Sequence, residues 1–91
     1  MKAPPGFAQL CQGLHQDGLH LANGSLERLA SDCTGFVAAE HKTDLRRFLA
    51  AALEALSPAE LKGHINRRKP EIRFKSSEAK AFFEYALQRL D

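Results

Sequence analysis

The sequence predicts an all-α fold, a small bundle of four to five short helices. Three observations carry this: two long amphipathic stripes in the second half, a capping signature that separates consecutive helices, and the absence of any two strands able to pair. With 91 residues, one core has to serve the whole chain, so residues 1–91 are expected to form a single helical domain. A domain of this size hides only roughly 60 to 65% of the surface its unfolded chain exposes, so each buried aromatic carries weight. The six Phe residues are therefore core candidates.

The clearest helix starts at Thr43 or Asp44 as cap and places Leu45, Phe48, Leu49, Ala52, Leu53 and Leu56 on one face, with Arg46, Arg47 and Glu54 opposite. Ser57-Pro58-Ala59-Glu60 follows. Ser57 caps, Pro58 takes the first helical position, where its missing N–H costs nothing, and Glu60 closes a capping box. The helix that begins at Pro58 carries Leu61 and Ile65 inward, is weakened by Gly63, and fades near Asn66, because Pro70 holds Lys69 extended. Glu71 to Lys75 alternates polar and apolar residues, which suits a short extended stretch pinned by Ile72 and Phe74.

Ser76 or Ser77 then caps a last helix with Ala79, Phe82, Phe83, Ala86, Leu87 and Leu90 on one face. Its stripe and the one from Leu45 are natural packing partners. Upstream, Ser25 caps a helix with Leu26, Leu29, Cys33, Phe36 and Val37 inward, and Phe7, Leu10, Cys11 and Leu14 form a shorter stripe. Gly13, Gly18 and Asn23-Gly24 interrupt the stretch between them, so a loop is expected around residues 15 to 24.

Composition narrows the function classes. Hydrophobic residues at 44% exclude a disordered chain, and no apolar run approaches the ~20 residues of a membrane span. The N-terminal MKAPPGFAQLCQG lacks the apolar stretch of a signal peptide, which points to a cytoplasmic address with Cys11 and Cys33 reduced and packed as small core residues. Cys11, His15, His20 and Cys33 are the residues that would suggest a metal, but neither C-x-x-C nor H-x-x-x-H spacing occurs, and no metal is expected. No phosphate-binding glycine loop and no strained nucleophile elbow is present, so the reading is of a protein that is not an enzyme and takes no cofactor.

Charge is unevenly divided. Residues 1–45 carry three Lys or Arg against five acids (Asp17, Glu27, Asp32, Glu40, Asp44) and come to −2, while the remaining ten basic and six acidic side chains make residues 46–91 +4. Two candidate faces follow. The acids, with the polar triplet His15-Gln16-Asp17, offer a surface for a basic partner, although such a triplet at a helix end also serves simply to bond turn backbone. Lys62, Arg67, Arg68, Lys69, Arg73 and Lys75 place six cations in 14 residues against Glu71 alone. That segment is a solvated turn, a protein contact, or a phosphate contact.

The string Leu14 to Asp17, LHQD, followed by an acidic helix, an L-x-x-F-L helix at Leu45 to Leu49 and a last helix ending in Arg89-Leu90, resembles immunity proteins of bacterial contact-dependent growth inhibition systems. Members of that family show an aromatic-His-Gln-Asp-Trp element near the N-terminus. His15, Gln16 and Asp17 match it, while Leu14 and Gly18 stand in place of the flanking aromatics. Leu61, Asn66, Arg67, Ile72, Arg73, Phe74 and Ala79 resemble the ending of such proteins. The resemblance implies a cytosolic, non-enzymatic protein that binds the C-terminal toxin domain of a large exoprotein, often a nuclease, and blocks its active site or substrate path. The rival expectations are a small nucleic-acid-associated regulator using Lys62 to Lys75, and a helical adaptor or homo-oligomer.

Overall fold

A computed structural model describes residues 1–15 and 24–91. Among them are five α-helices and one 3-10 turn, and no strand: α1 (Pro5–Cys11), α2 (Leu26–Thr34), the 3-10 turn (Ala39–His41), α3 (Lys42–Ala55), α4 (Pro58–Asn66) and α5 (Ser76–Leu90). The chain is an all-α bundle, as its periodicity predicts. The loop expected around residues 15 to 24 falls, from 16 to 23, outside the described residues.

The helix α5 is the central element. Its Ala79, Phe82, Phe83 and Ala86 are fully buried, and it packs against α2, α3 and α4, while α1 lies across α3 and α2. Leu45, Phe48, Leu49 and Ala52 of α3 and Leu29, Ala30 and Cys33 of α2 complete the same core. Phe7, Phe48 and Phe83 form its aromatic centre, with ring centroids 5.3 Å apart for Phe7 and Phe48, 5.6 Å for Phe7 and Phe83, and 6.2 Å for Phe48 and Phe83. These separations lie in the range where tilted and edge-on ring pairs attract. One residue from each of three helices meets there, which makes this cluster the point where α1, α3 and α5 are locked together.

The helix starts follow local chemistry. At α4 both halves of the predicted capping box form: the Ser57 hydroxyl accepts from the Glu60 N–H at 3.3 Å, and Glu60 Oε1 accepts from the Ser57 N–H at 2.9 Å. These bonds hold the exposed Glu60 carboxyl below its ordinary range. Ser25 caps α2 by accepting from the Arg28 N–H at 3.2 Å. Two starts differ from expectation. A 3-10 turn runs directly into α3, so the helix begins at Lys42, with Thr43 and Asp44 inside its first turn rather than capping it. The N-cap of α5 is Lys75, not a serine, because Glu78 Oε1 takes the Lys75 N–H at 2.8 Å and closes the turn one residue earlier.

Two further expectations are corrected. Phe36 is 48% exposed rather than inward, because α2 ends at Thr34, whose hydroxyl donates to the Ser31 carbonyl at 2.6 Å, and Phe36 therefore leaves the helical period. Lys69 is not extended: its φ of 51° is left-handed, and it ends the turns in which the Arg68 and Lys69 N–H groups donate to the Ile65 and Asn66 carbonyls. For a residue with a Cβ that conformation costs roughly 1 to 2 kcal/mol. Pro70 follows at the point where the chain leaves α4.

Gly63 and Gly13 make opposite predictions. A Cβ at Gly63 meets nothing within 4 Å, and its φ is not positive, so Gly63→Ala is expected to stabilise the domain by about 0.5 to 1 kcal/mol in urea denaturation. A Cβ at Gly13 would lie 2.7 Å from Cys33 Sγ and 3.1 Å from Phe36 Cε2. Gly13→Ala is therefore expected to cost about 1 to 3 kcal/mol. Adding Cys33→Ala removes the obstructing sulfur, so the double variant is expected to lose less than the two single losses together.

Candidate functional site

The connection from α4 to α5 carries Arg67, Arg68, Lys69, Arg73 and Lys75, and it is held to the body of the protein by backbone and apolar anchors. The Glu71 N–H donates to the Leu14 carbonyl at 3.1 Å, and Ile72 and Phe74 are buried, with the Phe74 ring 5.5 Å from Phe82. The predicted alternation is present without a strand: Arg73, between the two anchors, and Lys75, after the second, are exposed. A second anchor fixes α1, where Gln9 Oε1 accepts from the Ala38 N–H at 3.0 Å. The result is a firm seat on which exposed cations stand.

Three shallow clefts run along this side. The largest, about 470 Å³, lies between the N-terminal segment and the end of α4, and is lined by Lys2, Ala3, Pro4, Phe7, Ala8, His64, Arg67 and Arg68 among others. A second, about 270 Å³, passes Cys11, Gln12, Arg67, Arg68 and Lys69. A third, about 360 Å³, is lined by Asn66, Lys69, Pro70, Ile72 and Arg73. Arg67 and Arg68 are common to the first two, and Lys69 links the second to the third. Among the described residues, no Asp or Glu lines any of them. Among the described residues, the two ion pairs join His41 to Glu40 and Arg46 to Asp91, and neither involves a cation of this face.

The acidic candidates are arranged differently. Glu27 and Asp32 lie on α2, Glu40 in the 3-10 turn and Asp44 in the first turn of α3. Two of the four sit beside basic side chains: Glu27 shares a small groove with Tyr85 and Arg89, and Glu40 lies 3.9 Å from His41. His15 is half-buried and its N–H donates to the Gly13 carbonyl, while Gln16 and Asp17 lie outside the described residues. The structure thus brings Arg67, Arg68, Lys69 and Arg73 into one continuous face, with Lys75 at its far end, and spreads the acids over three elements.

Lys2 and His64 were not legible as part of this face. Lys2 reaches it through the tertiary placement of α1. His64 lies on the inward stripe of α4 between Leu61 and Ile65, spacing that reads as core. Its ring is 8% exposed and packs against Phe48 and Phe7, at centroid distances of 5.4 and 6.3 Å. Burial, and then the nearby Arg67 charge, depress its pKa below the ordinary 6.5, with Glu60 opposing weakly. A histidine depressed in the folded state keeps its full contribution above the unfolded value near 6.5 and loses it progressively as pH falls from there through the lower folded value. The urea midpoint is therefore expected to drop between pH 7.5 and 5.5 more steeply in the parent protein than in His64→Leu, and parallel slopes would show that His64 is not responsible.

The two cysteines belong to the core. Burial pushes both thiols up to about 12, so each remains a neutral S–H at physiological pH. Among the described residues no three His, Cys, Asp or Glu side chains are grouped so as to hold a metal ion, and no helix is long and apolar enough to cross a membrane. No protein-family model matches the chain, and neither does any curated protein or solved structure.

Proposed function

We propose that the chain is a cytosolic immunity protein that binds a cognate toxin domain of the contact-dependent growth inhibition type without catalysing a reaction, and that the face around Arg67, Arg68 and Lys69 makes the contact. The observation behind the choice of face is the continuity of its cations across three clefts that no acidic residue lines among the described residues. Fixed charges of one sign over concave, partly apolar surface steer an oppositely charged partner and select against a like-charged one. A metal-dependent nuclease presents such a surface in the carboxylates that hold its cations, and covering them blocks the reaction. The immunity reading rests on the resemblance carried by His15, Gln16 and Asp17 and by the order of helices around them.

Co-expression with the C-terminal domain encoded by the adjacent gene tests this. Growth arrest by that domain alone, relief by this protein and a one-to-one complex are expected, and a neighbour that is neither toxic nor bound removes the proposal. The same run of cations also favours a second reading, contact with nucleic-acid phosphates. Binding to generic DNA or RNA would then fall steeply with salt, and would be lost on replacing Arg67, Arg68 and Lys69 by Gln. Against it stands the burial of the Phe7 and His64 rings in the lining of the largest cleft, 1% and 8% exposed, which offer no platform for stacked bases.

A further inference from the structure

The cleft between the N-terminal segment and the end of α4 combines two chemistries that the rest of the basic face separates. Ala3, Pro4 and Ala8, over the buried Phe7, supply its apolar lining. Lys2, Arg67 and Arg68 supply positive charge in the same lining, the two arginines exposed and outside the described ion pairs, with the buried His64 beside them. Its volume of about 470 Å³ is within the usual range for a bound ligand or side-chain cluster.

We propose that this cleft is the docking site for an extended segment of a protein partner in which an aspartate or glutamate stands next to an aliphatic side chain. The carboxylate takes the guanidinium groups of Arg67 and Arg68, whose planar forks match carboxylate geometry, and the aliphatic neighbour covers Ala3 and Ala8. Charge complementarity selects the acid, and the apolar lining selects a peptide over a sugar-phosphate chain, which has no aliphatic group to place there. The inference rests on the protein-binding reading above and names the part of the partner that is gripped.

Amide chemical shifts of the whole chain titrated with a short blocked peptide, an aspartate between two leucines, provide the test. The peptide is expected to move the resonances of Ala3, Ala8, His64, Arg67 and Arg68, and to bind at least about tenfold more tightly than its asparagine counterpart. Arg67→Gln with Arg68→Gln is expected to abolish that preference. Both side chains are exposed, so a dispersed amide spectrum verifies that the variant is folded. Ala8→Gln, which fills the apolar side and leaves the charge unchanged, is expected to weaken both peptides. Equal affinity for the asparagine peptide, shifts confined to another face, or tighter occupation of the same residues by a short single-stranded DNA overturns the proposal. The two readings fail separately. A neighbouring toxin that is still neutralised when the peptide does not bind removes the cleft alone, and peptide binding without a toxic neighbour removes the immunity reading alone.

Discussion

Phe83→Ala is expected to remove about 3 to 5 kcal/mol of stability, the cost of deleting a fully buried aromatic ring. Phe83 is 0% exposed, stands on the helix that touches three others, and has the Phe7 and Phe48 rings on it. At roughly 0.05 to 0.15 kcal/mol per residue, a domain of 91 residues has about 5 to 14 kcal/mol in all, so that loss removes a large part of it. Urea denaturation followed by far-ultraviolet circular dichroism is expected to show a midpoint shifted far toward zero denaturant. Phe36→Ala is the matched control, because Phe36 is 48% exposed and beyond the end of α2, and its loss is expected to stay below about 1 kcal/mol. A Phe83→Ala loss as small as that of Phe36→Ala would mean that α5 is not the centre of the bundle.

Reversing Arg67 and Arg68 to Glu is expected to weaken the proposed complex with a toxin domain by about 100-fold or more, since under that proposal each new carboxylate meets an acidic surface and like charges across an interface cost several kcal/mol. The fold should be untouched, because both side chains are exposed and neither belongs to a described ion pair. Titration calorimetry at two salt concentrations checks both parts: the loss should shrink as salt is raised, while the unfolding midpoint of the free protein stays where it was. Glu27→Lys with Glu40→Lys is expected to leave the affinity within about threefold of the parent value, a change under 1 kcal/mol. If that pair produces the larger loss, the contact lies on the acidic side.

The fold was readable in the sequence wherever a local signal coincided with a long apolar period. Ser57, Pro58 and Glu60 define the start of α4 by bonds within four residues, so nothing distant can override them. The stripes of α3 and α5 were legible because about eight turns of helix between them repeat the same pattern with Leu, Phe and Ala. Phe36 departs from the helical period because α2 ends at Thr34, where a side-chain bond to Ser31 and the cap at Gly35 stop the helix. Lys69 departs from the extended conformation that Pro70 favours because the turn that finishes α4 outweighs that preference.

The candidate site divides along the same line. Arg67, Arg68, Lys69 and Arg73 are close in sequence, and their grouping follows from a short connection held down by Ile72 and Phe74. The cleft joins that connection to Lys2, Ala3 and Ala8, more than fifty residues away, and only the packing of α1 across the bundle creates it. The acids show the converse. Asp32, Glu40 and Asp44 are near neighbours in the chain, yet the turn after α2 and the 3-10 turn carry them onto separate elements.

Amide hydrogen exchange of the protein, free and bound to the toxin domain proposed as its partner, distinguishes the two faces directly. Contact through the basic face predicts new protection in residues 2–8 and 64–75, with α2 and the 3-10 turn exchanging as they do in the free protein. Protection confined to residues 26–34 and 39–44, with 64–75 unchanged, would contradict it.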